Sequence, residues 1–426
     1  MFRRLRRMPR RLHPLVVAAM WLSIPLALES LYHQRSYNVP TPEREMDSAF
    51  FGSEGCLDPE EMAKGPREKA ALVMLARNSE LEQAKHTVES VERRFNRWFH
   101  YPVVFFNNEE WDPEFVRQLN ATVSGEARFE VIPREEWYFP SWMDADKAKA
   151  SIKDQGDRGV SHGGLEGYHH MCRFYSGKFY NLEALKEFKW YWRLEPDVDF
   201  TCSITYDPFV EMAKRNKKYG FTISLWEERD TCPTLFRHMA DWKEANDVPT
   251  NNLWKAAVSA SWVPWPFRNL VAWLSHRDRF GDMWSGCHYW SNFEIADMDF
   301  FRGKKYQDMF EYLDKKGGFY FERWGDAAVH SIAVAMLLDP SQVHHFDDIG
   351  YRHDQLYQCP VNSLGSQLPD NPSLGTDKNW APPAEGGVGC RCECDGRTTP
   401  RNHPGYCLNK LKAPNTRSRP WFTWFL

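Results

Sequence analysis

Three carboxylates with alternating spacing stand in one short stretch of the chain, from Trp190 to Phe200. Glu195, Asp197 and Asp199 fall on odd positions, whereas the even positions hold mainly apolar side chains. This period of two predicts a strand with one buried face and one acidic face. Pro196 cannot donate to a strand ladder, so we expect the carboxylates where the strand leaves the sheet. Crowded carboxylates repel one another unless a cation neutralises their charge. A hard metal ion that carries a diphosphate would suit this position. The alternative is an exposed acidic strand end.

Six further residues have side chains suited to acid–base, metal or phosphate chemistry and stand in aromatic or glycine-containing contexts: Tyr168, Arg173, Glu227, Glu294, Asp326 and His353. Each residue type also has a structural interpretation. Asp326 precedes a helix-like run and could be its N-cap, and Glu294 could belong to an exposed helix start. His353 could be a loop histidine, and Arg173 could form a structural ion pair. None of these signals decides the function alone.

The elements that would position these residues are those of an α/β fold. Ala70–Ala76 and Pro102–Phe106 are apolar runs that predict buried strands. Between them, apolar residues recur at steps of three and four from Leu81 to Trp98, behind a capping box at Ser79–Glu82, which predicts a helix. A β-α-β start implies a parallel sheet, and such sheets bind ligands at the carboxyl ends of their strands.

The rest of the chain continues the alternation of strands and helices to about residue 340, which predicts one large domain. Further strands are predicted at Phe129–Ile132 and Phe221–Leu225, and helices at Asp207–Asn216, Asp299–Lys315 and Ala327–Leu338. The segment 360–389 is rich in Pro, Gly, Ser and Asn, which predicts irregular structure. No dinucleotide-binding glycine motif follows the first strand.

The composition is that of a chain with a large core and an acidic body. Hydrophobic residues make up 42% of the 426 residues, and aromatic residues make up 15%, with 19 tryptophans. Aromatic side chains suit sugar-binding clefts, although most of them will pack in the core. The formal net charge of −4 argues against a nucleic-acid partner.

The N-terminus has the pattern of a membrane anchor. Six arginines lie within the first twelve residues, and the apolar run Leu15–Leu28 follows them. The positive-inside rule predicts a cytoplasmic N-terminus and a translocated body. We therefore expect a basic cytoplasmic tail at residues 1–12, a signal-anchor helix at 13–31, a stalk at 32–68 and a lumenal catalytic domain at 69–426. The apolar run is short for a span, so a cleaved signal peptide is the alternative.

A cluster of cysteines near the C-terminus, Cys390, Cys392, Cys394 and Cys407, lies in the part predicted to be translocated. Such spacing could hold zinc in a cytosolic protein, but in a secretory compartment it predicts at least one disulfide, whose connectivity the sequence does not reveal. Asn120 begins a glycosylation sequon.

Over roughly residues 70–360 the chain resembles the fungal Golgi α-1,2-mannosyltransferases, glycosyltransferase family 15. The resemblance rests on long segments: Tyr168–Gly177, Trp190–Val198, Trp290–Ile295, Gly317–Ala327, Val329–Ile332 and Asp348–Tyr351. It implies a GT-A-like nucleotide-sugar transferase domain with a mixed, mostly parallel central sheet behind a single type II membrane anchor in the Golgi. It also implies manganese-dependent transfer of mannose from GDP-mannose, with retention, to mannose-terminated glycans of glycoproteins.

The same resemblance assigns roles to individual residues. Glu195 resembles the metal-binding carboxylate and His353 its metal-binding partner. Glu294 resembles the proposed nucleophile, and Tyr168 resembles a tyrosine close to the donor. Two further acidic positions, Glu227 beside the donor and Asp326 in the catalytic group, match the family, and Arg173 matches as a phosphate-binding residue. Whether a carboxylate bonds covalently to the sugar or only stabilises an oxocarbenium-like centre stays open.

Three positions depart from the family pattern. His169 stands where many relatives have arginine, Arg352 stands where histidine is expected, and Ser203 replaces a common acidic residue. If the missing arginine contacts the donor phosphate, His169 would weaken donor binding or make it sensitive to pH.

Two other functions use the same residue types. A retaining α-mannosidase-type hydrolase also needs a pair of carboxylates, but it needs no metal–diphosphate site. A non-catalytic sugar-binding protein of the secretory pathway would bind mannosides without turnover. Assay with GDP-mannose and an acceptor separates these possibilities from transfer.

Overall fold

The computed structural model describes residues 14–37, 50, 56–365, 381–394 and 405–412. The strands are β1 (Ala70–Leu75), β2 (Val103–Asn107), β3 (Ala127–Val131), β4 (Trp190–Leu194), β5 (Val198–Phe200), β6 (Tyr219–Phe221), β7 (Ser224–Trp226), β8 (Val258–Ser259), β9 (Met283–Trp284), β10 (Cys287–Tyr289), β11 (Glu294–Asp297), β12 (Val343–His345), β13 (Tyr351–His353) and β14 (Leu356–Gln358). The helices are α1 (Pro14–Tyr37), α2 (Pro59–Met62), α3 (Leu81–Val91), α4 (Arg97–Phe99), α5 (Pro113–Thr122), α6 (Arg134–Trp137), α7 (Ala145–Asp157), α8 (Glu166–Arg173), α9 (Pro208–Lys214), α10 (Leu235–Ala245), α11 (Asn252–Ala257), α12 (Met298–Arg302), α13 (Lys304–Lys316), α14 (Gly318–Phe321), α15 (Asp326–Leu337) and α16 (Gly405–Lys412).

The central sheet has seven strands in the order β12-β6-β11-β4-β1-β2-β3. Only β11 runs antiparallel to its neighbours β4 and β6 among the strands of this sheet. The other four pairings are parallel. The predicted α/β class with a mixed, mostly parallel sheet is therefore confirmed.

Both faces of this sheet are buried. On β1, Ala71 and Val73 enter the core that contains α15, whereas Leu72 and Met74 enter the core that contains α3. Unbroken apolar runs are typical of such strands, because helices cover both faces of a parallel sheet.

The acidic strand predicted from Trp190 to Phe200 is only partly correct: Glu195 lies where the strand leaves the sheet, as Pro196 indicated, but the strand does not continue to Phe200. β4 ends at Leu194, and a turn follows in which Asp197 has a left-handed φ of 65°. β5 then belongs to a separate antiparallel sheet with β13 and β14. The carboxylates consequently diverge: Glu195 accepts from Arg193, and Asp199 lies 2.8 Å from a ring nitrogen of His86.

Two helix boundaries also differ from their predictions. Helix α3 is preceded by a turn at Asn78–Glu80, where the Glu80 carboxylate accepts from the Arg77 amide, so the capping residues lie earlier than Ser79–Glu82. The predicted helix Asp299–Lys315 is divided at Gly303 into α12 and α13.

The N-terminal helix α1 continues to Tyr37, past residue 31, which is the predicted end of the signal anchor. Its stretch Val16–Tyr37 is long and apolar enough to cross a membrane, by length and composition. Its last turns contact the body of the protein, where Tyr37 donates to Asp282. Part of the predicted stalk, residues 38–49 and 51–55, lies outside the described residues, as does the predicted basic tail at residues 1–12.

Four disulfides join the cysteine-rich C-terminal segment to the rest of the chain. They are Cys56–Cys390, Cys202–Cys392, Cys287–Cys407 and Cys359–Cys394. Each of the four clustered cysteines is therefore bonded to a cysteine outside the cluster, and none is left as a zinc ligand. Cys172 and Cys232 are free and buried.

Candidate active site

The guanidinium of Arg193 joins two of the predicted site residues, Glu195 and Asp326. Its Nε and one terminal nitrogen donate to Glu195 Oε1 at 2.7 and 2.6 Å, and the other terminal nitrogen donates to Asp326 Oδ2 at 2.5 Å. The guanidinium carbon lies 3.5 Å from the ring centroid of Tyr175, where the aromatic face favours the cation. One buried cation thus gathers carboxylates from two distant parts of the chain.

The strand geometry places this group at the carboxyl end of β4, where a parallel sheet commonly binds its ligand. Arg193 is the penultimate residue of β4, and Glu195 follows the strand directly. Asp326 is the first residue of α15, and its Oδ2 also accepts from Ser291. Gly325, not Asp326, is the N-cap.

The pKa values of Asp326 and Glu195 are shifted in opposite directions by their surroundings. Burial alone would raise the pKa of Asp326, but the nearby Arg193 and His330 hold it below its usual range. Burial raises the pKa of Glu195, and this effect exceeds the opposing attraction of Arg193 and His353. Asp326 is therefore a fixed anion, whereas Glu195 is the partly exposed carboxylate that would gain most from a bound cation.

Glu294 lies on the same face of the sheet but has its own set of partners. It is completely buried, and Tyr191 and Tyr219 donate to its two oxygens at 2.6 and 2.8 Å. His330 Nδ1 lies 3.1 Å from Oε2. Burial opposes protonation of His330, but Glu294 raises the pKa of this imidazole above its usual value. The Glu294 carboxylate therefore has no exposed surface, and both of its oxygens have partners within the protein.

Glu227 and Tyr168 meet around a residue that the sequence did not indicate, Arg323. One Arg323 nitrogen lies 3.4 Å from Glu227 Oε1, and the guanidinium lies 5.4 Å from the Tyr168 ring centroid. His288 approaches the other Glu227 oxygen at 3.5 Å. Burial raises the pKa of Tyr168, so its hydroxyl stays protonated and can donate a hydrogen bond.

His353, the other predicted metal-binding residue, lies on the strand that pairs with the segment following Glu195. His353 pairs with Val198 across the β13–β5 ladder, and Val198 is three residues after Glu195. The imidazole ring of His353 stacks on Trp290. Its Nδ1 contacts the amide nitrogen of Asn292, whose buried Oδ1 has no hydrogen-bond partner among the described residues. If the Asn292 side-chain amide were flipped, its Oδ1 would accept a hydrogen bond from the Nδ1–H of His353. The lone pair on Nε2 of His353 would then be available to a metal ion.

The protein alone does not complete a metal cage. No group of three or more His, Cys, Asp or Glu side chains that could hold a metal ion occurs within the described ranges. One carboxylate and one imidazole match a divalent ion that takes its other ligands from water and a diphosphate.

Arg173 does not lie with the other predicted residues. It forms a two-pronged ion pair with Asp314, at 2.7 and 3.0 Å, and both its nitrogens in this pair are buried. This geometry favours the structural interpretation over phosphate binding.

His169 also has a structural setting. Its ring nitrogens face the carbonyl oxygens of Phe319 and Gly163, at 2.6 and 2.9 Å, so the buried ring links two segments of the chain. Both ring nitrogens of His169 are therefore occupied by backbone carbonyls in this arrangement.

The sequence reasoning missed the residues that hold the predicted carboxylates: Arg193, Tyr191, Tyr219, His330 and Arg323. A usable signal existed for Arg193 and Tyr191, which precede Glu195 on odd positions of the same strand and therefore share a face. No local pattern marks Tyr219, which belongs to a different strand.

Comparison with known proteins identifies relatives over most of the chain. A family model described as glycolipid 2-alpha-mannosyltransferase matches residues 33–367. The chain is 42% identical over 299 residues to the alpha-1,2 mannosyltransferase KTR1 of Saccharomyces cerevisiae, covering 70% of this chain and 72% of that protein. It is 38% identical over 376 residues to the probable mannosyltransferase KTR5 of the same yeast, covering 75% and 72% respectively.

A solved structure has the same fold. Core-mannan synthase A from Aspergillus fumigatus, in its Mn/GDP form, superposes with a TM-score of 0.64 and 36% identity. The similarity covers 78% of this chain and 86% of that chain.

Proposed function

Because the chain belongs to the glycolipid 2-alpha-mannosyltransferase family, we propose that it transfers mannose from GDP-mannose, with retention, to the 2-hydroxyl of mannose-terminated glycans on glycoproteins. It is a glycosyltransferase with the GT-A-like fold that the resemblance implied. The observation that carries the proposal is the pairing of Glu195 with Asp326 through Arg193, next to His353.

Glu195 and His353 would hold Mn²⁺, which is the ion that the A. fumigatus relative contains together with GDP. When bound, the ion would neutralise the diphosphate and make GDP a better leaving group. Arg193 keeps the Glu195 carboxylate aligned through Oε1 and compensates the charge of Asp326. Without this guanidinium, two partly desolvated carboxylates would repel each other.

The enclosure of Glu294 bears on the mechanism of retention. A nucleophile must touch the anomeric carbon, but three donors and complete burial separate this carboxylate from a ligand. The arrangement favours a role in which Glu294 and Asp326 stabilise an oxocarbenium-like centre by their charge. The acceptor would then attack on the face that GDP leaves.

Tyr168, Glu227 and Arg323 form the other side of the site. The protonated Tyr168 hydroxyl would donate to the donor, and Glu227 would accept from a sugar hydroxyl. Arg323 holds Glu227 in position. Arg173 stays outside this group because Asp314 occupies its guanidinium.

The proposed location is the Golgi membrane, with a single type II span and a lumenal catalytic domain. The arginine-rich start and the apolar helix α1 support this orientation.

The test is transfer by the purified full chain in detergent, with GDP-mannose and methyl α-mannoside, with and without Mn²⁺. We expect a disaccharide with an α-1,2 linkage, identified by NMR, only when Mn²⁺ is present. Release of free mannose without disaccharide would indicate a hydrolase, and binding without turnover would indicate a sugar-binding protein. Either result would reject the proposal.

A further inference from the structure

A loop between β8 and β9 exposes an unusual number of large apolar side chains. This aromatic loop, residues 260–282, is closed at its base by the antiparallel pairing of β8 with β9. Trp262, Trp265 and Trp273 are 58%, 67% and 76% exposed, and Phe267 and Leu270 are exposed beside them. A soluble surface rarely carries so many large apolar groups together unless they meet a partner.

The aromatic loop is fastened to the last turns of α1. Glu29 accepts from the side chain of Arg268 at 2.6 Å and from the amide of Trp265 at 2.8 Å. Ser30 donates to the carbonyl of Trp262. The loop and this part of the helix therefore lie at the same level along the helix axis.

The length of α1 indicates the depth at which the aromatic loop lies relative to a membrane. The apolar run Leu15–Leu28 rises only about 21 Å, whereas the hydrocarbon core of a membrane is about 30 Å thick. A helix that enters at Leu15 needs about 20 residues to cross, which carries the span to Gln34. Gln34 itself donates to the carbonyl of Ala260 in the loop.

The polar contacts of this region match such a depth. A carboxylate in the outer part of a bilayer is costly unless it is paired, and Glu29 receives two donors from the loop. Tryptophan is enriched at membrane–water interfaces, because its ring is apolar while its N–H reaches water.

We propose that the aromatic loop inserts into the lumenal leaflet of the membrane that α1 crosses, with Trp262, Trp265 and Trp273 among the lipid headgroups. The occupant of this surface is the bilayer, and continuity with the spanning helix identifies it. The loop also reaches the candidate site: a ring nitrogen of His276 bonds to the carbonyl of Arg229, two residues from Glu227. The bilayer thus sets the height of the active site above the membrane.

The test uses the full chain in phosphatidylcholine nanodiscs. W265C and W273C are each labelled with an environment-sensitive fluorophore, and W142C is the matched control, because Trp142 is 50% exposed on the α6–α7 connection. The native free thiols, Cys172 and Cys232, are buried and should not react in the folded protein. Lipids with a nitroxide near the top of the acyl chain quench only fluorophores that enter the leaflet.

We expect quenching at positions 265 and 273 that is at least about threefold stronger than at position 142. Equal quenching at all three positions would overturn the proposal. Absence of lipid quenching with an intermolecular W273C disulfide would assign the face to a second copy of the chain, which also overturns it. A mature N-terminus near residue 30 would remove the helix on which the argument depends. The readouts are independent of mannose transfer, so they do not fail with the proposed reaction.

Discussion

Arg193 on β4 and Glu294 on β11 stand directly opposite each other in antiparallel register. Their side chains therefore emerge on the same face of the sheet. The Arg193 guanidinium forms ion pairs with Glu195 and Asp326. The Glu294 carboxylate instead accepts hydrogen bonds from Tyr191 and Tyr219 and contacts the imidazole of His330. Two charged groups thus lie side by side with separate partners, and each can be changed while the other keeps its contacts.

Replacement of Glu294 by glutamine tests the role of its charge. The variant keeps the shape and one acceptor but loses the negative charge facing the site. We expect kcat to fall at least about a hundredfold, or about 3 kcal/mol of transition-state stabilisation, with GDP and Mn²⁺ affinity close to wild type. Steady-state kinetics and calorimetry measure both quantities.

The matched control for Glu294→Gln is Glu92→Gln. Glu92 is also buried and accepts from Asn96, but it lies on the π-helical turn after α3. This variant should change the melting temperature without changing kcat. A near-normal kcat in Glu294→Gln would remove Glu294 from the mechanism and leave Asp326 or Glu227 as candidates.

The metal site predicts a second result. Glu195→Gln and His353→Ala should each abolish Mn²⁺-dependent GDP binding in calorimetry, because these two side chains are the ligands that we propose among the described residues. Asn292→Ala should weaken that binding about 10- to 100-fold, since the imidazole loses the group that orients it. Undiminished Mn²⁺-dependent binding in Glu195→Gln would reject the assignment of this ligand.

Arg173→Gln separates structure from donor binding. The change leaves Asp314 unpaired, and we expect the unfolding free energy to fall by about 3–5 kcal/mol. GDP affinity of the folded fraction should stay unchanged. The double variant Arg173→Met, Asp314→Leu should recover much of the stability, because no buried charge is left alone. A tenfold loss of GDP affinity in either variant would restore the phosphate-binding interpretation.

Asp348 predicts a dependence of stability on pH. Burial raises the pKa of this carboxyl to about 7, and the neighbouring Asp347 adds to the shift. Because the folded-state pKa exceeds the unfolded value of about 3.9, folding favours the protonated form. The contribution to stability is complete below about pH 4 and is lost as the pH rises towards 7.

Asp348→Asn should remove this loss. The variant should match wild type near pH 4 and exceed it at pH 8, by at most about 4 kcal/mol. Thermal unfolding between pH 4 and 8 measures the difference. Asp308→Asn, an exposed change on α13, is the control and should give parallel curves. Parallel curves for both variants would contradict the prediction.

The disulfides can be mapped directly. Peptide mass spectrometry of the non-reduced protein should recover the four pairs that join residues 390, 392, 394 and 407 to Cys56, Cys202, Cys359 and Cys287. Alkylation should modify Cys172 and Cys232 only after unfolding, because both thiols are buried. A bond between two of the clustered cysteines would contradict this connectivity.

Strands β1 and β2 of the central sheet could be predicted from the sequence because they are apolar runs, whereas β11 (EIAD) and β12 (VHH) carry carboxylates or histidines and were not predicted. The strand Ala70–Leu75 is buried on both faces, so its composition alone distinguishes it from the surrounding helices. The acidic strand failed for a physical reason: Asp197 adopts a left-handed conformation, and the chain changes sheets while the apolar residues keep their even positions. Pro196 indicated that the strand leaves the sheet, but the period of two did not reveal the turn or the change of sheet.

Several members of the candidate site could be predicted from the sequence, but not the groups that hold them in place. Glu195, Asp326 and Glu294 stood out in their sequence contexts, and the fold brings all three to one region. Their counterions did not stand out, because Arg193 and Asp326 are 133 residues apart. Arg173 illustrates the reverse. Its sequence context matched a phosphate-binding residue, but its side chain pairs with Asp314 on α13, and no sequence pattern connects these two positions.

The bond between Cys56 and Cys390 determines how this protein could be shed from a membrane. A protease that cuts anywhere between these two cysteines leaves both fragments in one covalent molecule, still attached to the N-terminal helix. A cut between Tyr37 and Cys56 separates the body from the helix covalently. Even then Glu29 and His33 keep the helix bound through Arg268 and Asp282. Release into the medium therefore requires cleavage N-terminal to Cys56, and a cut after Tyr37 also requires the loss of these contacts.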